Sequence, residues 1–180
     1  LLDSTEPFKN GWTVPAGFLR EPISAVSRAD LVILTRCTEA DSPEKYLPEQ
    51  IPVCRSSHTL TGYSPLNGGE VHPFTGLARR RFVAFCGIAD PASFFDGIEA
   101  CGVPLVATLA FPDHTGYGAR EMEALGKLKQ HSRADGMITT AKDAVKLLPY
   151  TGIIGDCFVA RLELTLHDPG PLIAALDKTF

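Results

Sequence analysis

No apolar run in this sequence approaches the roughly 18 residues that a membrane-crossing helix needs, so no such helix is expected. No charged and apolar leader opens the chain either. It contains no GxxxxGK[ST] phosphate loop, no GxGxxG, no GxSxG and no HExxH, which removes four common ways of building a nucleotide or catalytic site within one chain. The five cysteines, Cys37, Cys54, Cys86, Cys101 and Cys157, are odd in number and form no CxxC. They read as free thiols of a reducing compartment, not as a disulfide framework or a zinc site. His58, His72, His131 and His167 have no ligand spacing and read as surface residues.

Charge of one sign is also lacking. A net charge of −4 leaves no overall footprint for nucleic acid or anionic lipid. The local exception is Arg79-Arg80-Arg81, either a solvated entrance to a strand or an anion or head-group site. What remains is a globular composition, 44 % hydrophobic and 21 % charged, in 180 residues, enough for one domain or one and a half small ones.

The pattern of elements follows from punctuation. Leu1–Asp3 reads as the end of a strand already under way, so the chain is expected to be a fragment. A loop with Pro7, Gly11, Pro15 and Gly17 leads to a short helical stretch ending near Arg28. Leu31–Leu34 reads as a strand buried on both faces. The polar 35–52 stretch reads as loop with one helical turn. Val53–Tyr63 and Glu70–Phe74, flanking Asn67-Gly68-Gly69, suggest a hairpin that serves as a linker ribbon.

From Phe82 the signals become regular. Phe82–Cys86 is a buried strand, and Asp90-Pro91 caps a helix over Pro91–Cys101 that Gly102 ends. Val103–Phe111 is a further buried strand, Ala119–Ser132 a helix and Gly136–Thr139 a short strand. Thr140 caps the next helix, with Asp143 placed to reach back as an acidic capping-box partner. Cys157–Leu166 alternates and reads as a half-exposed edge strand, and Asp168-Pro169 starts a last amphipathic helix. Strands and helices that alternate with short connections predict an α/β fold: a parallel sheet covered by helices on both faces.

Chemistry could sit at three loop ends. In Pro15–Pro22, Arg20 could offer a cation to phosphate and Glu21 a carboxylate to metal or hydroxyl; the plainer reading is a surface ion pair. Asp113 and His114 follow an apolar run, where a carboxylate can orient an imidazole that relays a proton. The plainer reading there is an Asx turn with a surface histidine. Thr139, Thr140, Lys142 and Asp143 open a helix and make an anion candidate, although most capped helices bind nothing.

Read together, NGWTVPAGFLREP (Asn10–Pro22), FCGIADPASFF (Phe85–Phe95), FPDH (Phe111–His114) and TTAKDAVKL (Thr139–Leu147) resemble the tetraacyldisaccharide 4′-kinases of lipid A synthesis, in order and spacing, over essentially the whole chain. The resemblance implies an ATP- and Mg²⁺-dependent transfer of the γ-phosphate to the 4′-hydroxyl of a disaccharide lipid. It implies a P-loop NTPase-like amino-terminal lobe, of which residues 1–50 would be a remnant. Residues 51–80 would be a β-hairpin linker and residues 81–180 a three-layer carboxy-terminal α/β lobe, with the chemistry in the cleft between lobes. Arg20, Glu21 and His114 would match active-site positions, His114 supporting a catalytic aspartate that lies in the amino-terminal half and outside this chain. Asp113 matches the motif but need not share that role, and Thr139, Thr140, Lys142 and Asp143 match a TTxKD signature of unassigned role. Ala141 and Thr115 depart from the family's usual Glu and His or aromatic residues. The phosphate loop, the acidic metal-binding segment and a membrane-anchoring helix would be missing. The implied partners are the lipid and the missing lobe, at the cytoplasmic face of a Gram-negative inner membrane, with no nucleic acid. The truncated chain itself would be inactive and would bind ATP poorly. The alternatives are a non-catalytic α/β module that holds phosphate or nucleotide at Thr139–Lys142, and a scaffold without a ligand.

Overall fold

Phe82–Cys86 is the strand on which the larger part of the molecule is assembled, and all five of its residues are buried. A computed structural model describes residues 1–37 and 47–178. Residues 38–46, half of the 35–52 stretch, therefore lie outside the described residues. In chain order the strands are β1 (Leu2–Asp3), β2 (Val32–Thr35), β3 (Val53–Pro65), β4 (Phe82–Cys86), β5 (Leu105–Ala110), β6 (Gly136–Thr140) and β7 (Cys157–Leu166). The helices are α1 (Pro91–Ala100), α2 (Ala119–Ser132), α3 (Ala141–Leu147), α4 (Thr151–Ile154) and α5 (Gly170–Asp177).

The chain divides into two compact units, 1–59 with 164–180, and 60–163. In the first, β1 and β3 flank β2, all parallel, around Val32, Leu34 and Cys37. Burial alternates along β2, so only one of its faces is fully covered, not both as its composition suggests. The stretch before Arg28 is helical as expected, but a 3₁₀ helix, Ile23–Arg28.

In the second unit β7, β6, β4 and β5 lie side by side in that order, each parallel to its neighbour. Successive residues of a strand point to opposite faces, and β4 shows it. Phe82, Ala84 and Cys86 pack with Phe94 and Ile98 of α1, while Val83 and Phe85 pack with Leu125 of α2 and Leu147 of α3. The helices thus lie on both faces, as the alternating pattern predicts. Local signals set α1: Asp90 accepts from Ser93 N at 3.2 Å, and Gly102 follows in the left-handed region at φ +78°.

Strand order overturns three local expectations. The apolar 105–111 run forms β5 at the sheet edge, where its residues alternate between half-buried and exposed. The alternating Cys157–Leu166 run is no edge: β7 lies between β6 and β3, with Leu66 N bonded to Cys157 O at 2.9 Å. Glu70–Phe74 forms no second hairpin strand. After the Asn67-Gly68-Gly69 turn, one antiparallel bridge, Tyr63 to His72, precedes the 3₁₀ turn Phe74–Leu77.

Arg80 and Arg81 are engaged at the entrance to β4. Arg80 pairs with Asp156 at 2.7 Å and covers Phe82 and Phe158, and Arg81 pairs with Asp135 at 3.8 Å. That is the solvated strand entrance.

All five cysteines are free, and only Cys101 is not fully buried. Burial, with the Asp143 carboxylate nearby, pushes the Cys86 thiol up to about 11, and burial pushes Cys157 up to about 12. Since the thiolate is the reactive form, iodoacetamide at pH 8 should alkylate Cys101 first and spare Cys86 and Cys157. Peptide mapping that finds Cys86 or Cys157 labelled as fast as Cys101 would contradict this packing.

Candidate functional site

The strand order of the second unit sends the chain from β4 outward to β5 and then back past β4 to β6. Open parallel sheets take ligands outside the carboxyl ends of their strands at such a reversal. Three segments leave the sheet there: Gly87 after β4, loop 111–118 after β5, and α3 directly after β6.

Asp143 joins the first and third. It is fully buried, and its Oδ2 accepts from Gly87 N at 2.9 Å and from the Thr140 hydroxyl at 2.8 Å. Asp143 N in turn donates to Thr140 Oγ1 at 3.2 Å, so Thr140 is the cap that the sequence predicts. The reciprocal capping-box bond is replaced: Thr140 still belongs to the β6 ladder, in register with Ala160, and the carboxylate turns across to Gly87. A Cβ on Gly87 would come within 3.2 Å of both Asp143 Oδ1 and Pro112 O, so the approach needs a residue without a side chain.

The loop after β5 is a tight turn. Pro112 O accepts from Thr115 N at 3.1 Å and from the Thr115 hydroxyl at 2.7 Å, with His114 in the left-handed region at φ +63°. Asp113 Oδ1 accepts from the adjacent His114 N at 2.9 Å, one residue short of the bond that defines an Asx turn, and also from Lys142 Nζ at 2.7 Å. The Lys142 ammonium, helped by His114, holds the Asp113 carboxyl below its ordinary value of 3.8. The His114 side chain is 80 % exposed, and its Nε2 stands 3.7 Å from Asp113 Oδ2, beyond hydrogen-bond distance. The imidazole is displayed outward beside a carboxylate already committed to a lysine.

One turn further along α3, Lys146 Nζ donates to Thr115 O at 2.9 Å and stands 3.7 Å from Asp143 Oδ1. Tyr117 is buried, and burial together with the Asp143 carboxylate raises its phenol far above the ordinary range. The Tyr117 hydroxyl, Thr139 Oγ1 and Asp143 Oδ1 are buried without a hydrogen-bond partner.

In the first unit the Asn10–Leu19 loop is pinned by Leu19 N to Trp12 O at 3.1 Å and Val14 N to Leu19 O at 2.9 Å. It delivers Arg20, which is exposed, and Glu21, whose surface ion pair is with Arg28 of the following 3₁₀ helix.

Six of the candidate residues, Asp113, His114, Thr139, Thr140, Lys142 and Asp143, thus gather at the carboxyl ends of the second unit's strands, while Arg20 and Glu21 adjoin in the first. Sequence reasoning missed Gly87, Tyr117 and Lys146. The available signals were a glycine straight after a fully apolar strand and a lysine four residues beyond Lys142, hence on the same helix face.

The family model described as tetraacyldisaccharide-1-P 4′-kinase (LpxK) matches residues 1–180. The tetraacyldisaccharide 4′-kinase of Geobacter metallireducens is 49 % identical over 178 residues, 99 % of this chain and 52 % of its own. That of Pelobacter propionicus is 47 % identical over 98 % of this chain and 49 % of its own. The crystal structure of Aquifex aeolicus LpxK in complex with ATP superposes with a TM-score of 0.66 at 22 % identity, over 99 % of this chain and 51 % of that one, and shows the same fold. The chain spans about half the length of the curated relatives it matches. With its whole length inside the family model and nearly half of its residues identical to a curated relative's, the chain belongs to the tetraacyldisaccharide-1-P 4′-kinase family.

Proposed function

We propose that this chain is the carboxy-terminal part of a kinase that transfers the γ-phosphate of ATP to the 4′-hydroxyl of a tetraacyldisaccharide 1-phosphate in lipid A synthesis. Residues 1–50 would be what remains of the nucleotide-holding lobe, 51–80 its linker and 81–180 the second lobe. The observation that carries the reading is the His114 imidazole, exposed on a closed turn, next to a carboxylate that Lys142 already neutralises. An imidazole so placed is free to support a catalytic aspartate from outside this chain, the pair drawing the proton from the attacking sugar hydroxyl. Arg20 and Glu21 are assigned to the same reaction, the guanidinium to phosphate charge and the carboxylate to the acceptor's hydroxyl or to a metal.

ATP and Mg²⁺ belong to the whole enzyme. Among the described residues no three His, Cys, Asp or Glu side chains are grouped to hold a metal ion, and the sequence has no phosphate loop. The residues present do not fit a nucleotide–metal site of their own. Among the described residues no helix is long and apolar enough to cross a membrane. We place the whole enzyme peripherally at the cytoplasmic face of the inner membrane, where its lipid substrate is.

Incubated with ATP, Mg²⁺ and the lipid, this chain alone should yield no phosphorylated product, and calorimetric titration with ATP should give no binding heat. Product would refute the division of labour, and ATP heat would favour a stand-alone nucleotide-binding module. In a full-length enzyme carrying these residues, His114→Ala should lower kcat by about 10²–10⁴-fold, the usual worth of a positioned acid–base group, with a smaller change in KM. An unchanged kcat would remove His114 from the chemistry.

A further inference from the structure

We propose that Lys142 and Lys146 are positioning residues, a two-lysine clasp by which α3 holds the His114 turn from both sides. This rests on the reading of His114 as half of an aspartate–histidine pair that draws the proton from the sugar hydroxyl. Residues four apart on a helix lie on one face, one turn from each other. Here the first reaches the side chain before His114, Asp113, at 2.7 Å, and the second reaches the carbonyl after it, Thr115, at 2.9 Å. The imidazole has no hydrogen bond of its own among the described residues, so its direction is set by the backbone of the turn that carries it. That backbone is in the left-handed region, uncommon for a residue with a side chain although histidine enters it more readily than most.

What holds the clasp is Asp143, the residue after Lys142. It points the opposite way, inward, and ties the start of α3 to Gly87 at the end of β4. The position of two core strands is thereby passed through one turn of helix to the loop on a third.

The same contacts reassign the Thr139–Asp143 segment. Thr139 and Asp143 are fully buried, and Lys142 is spent on Asp113. An anion arriving at this end of the sheet would meet a buried carboxylate and a neutralised lysine. The segment therefore supports His114 and does not bind the substrate's phosphate.

The test has two arms. In this chain, amide hydrogen exchange is followed by NMR for Lys142→Met, Lys146→Met and the double variant. The double variant should speed exchange at His114 and Thr115 by about tenfold or more, the mark of a local opening, while β4 and β6 amides keep their rates. In a full-length enzyme carrying these residues, the double variant should lower kcat by about 10–100-fold, the scale of an ångström-sized misplacement, with KM for ATP unchanged. Lys142→Arg, which keeps a cation against Asp113, should recover most of the loss caused by Lys142→Met. Unchanged exchange in the double variant would overturn the clasp whatever the kinetics show. Faster exchange with unchanged kcat would overturn the positioning role. If the lipid's KM rises while kcat holds, Lys142 binds substrate and the reassignment fails. Should the wild-type full-length enzyme show no kinase activity, the kinase reading falls, and the exchange arm alone decides the clasp.

Discussion

A carboxylate with no exposure to solvent is the constraint from which the arrangement of the second unit's loops follows. Burying a polar or charged group is unfavourable by several kcal/mol unless hydrogen bonds replace the lost water. Asp143 meets that demand at one oxygen, with the Gly87 amide and the Thr140 hydroxyl, while its second oxygen has only the Lys146 ammonium at 3.7 Å. Each of those partners is part of a different constraint. Gly87 ends the strand buried on both faces, Thr140 ends the neighbouring strand and begins a helix, and Lys146 reaches the loop of a third strand. Satisfying one side chain therefore fixes three segments relative to one another. Its charge is also felt nearby, in the raised Tyr117 phenol and the raised Cys86 thiol, in both cases after burial itself.

The loop that results separates two roles that a sequence reader would give to one pair. Asp113 and His114 are adjacent, and their chemistry suggests a dyad. The structure spends Asp113 on its own backbone turn and on Lys142, at 2.9 and 2.7 Å, and leaves the imidazole exposed. A neutralised neighbour does not orient His114 strongly. The other cationic cluster makes a similar point. Arg80 and Arg81 look like an anion site in sequence, yet each is matched by an aspartate at the opposite, amino end of the sheet.

Much of the fold was legible because its signals are local. The α1 cap at Asp90, the glycine that ends it and the helical spacing of apolar residues along the 14 residues of α2 depend on neighbours within a few residues, and the bounds follow closely. The full burial of FVAFC was readable from composition alone. Strand order was not, because it is decided by pairing between distant segments. The apolar Leu105–Ala110 run went to an edge and the alternating Cys157–Leu166 run to the interior. At the site, the motif residues stood out as types: Thr140 as a cap, and His114 after a strand. Asp143 was legible as an acid near a helix start, but its partner Gly87 is 56 residues away, and nothing in the spacing announces that bond. Lys146 was hidden for the same reason, since its target is a backbone carbonyl, which every residue has.

The Gly87 amide proton reports on this constraint most directly. In the folded chain its hydrogen exchange should be slow, protected to nearly the level of the β4 amides, because its acceptor is buried. Asp143→Asn should speed it by about tenfold or more and loosen His114 and Thr115 with it, while β4 keeps its protection. Exchange at Gly87 as fast as in an open loop, or unaffected by Asp143→Asn, would contradict the account.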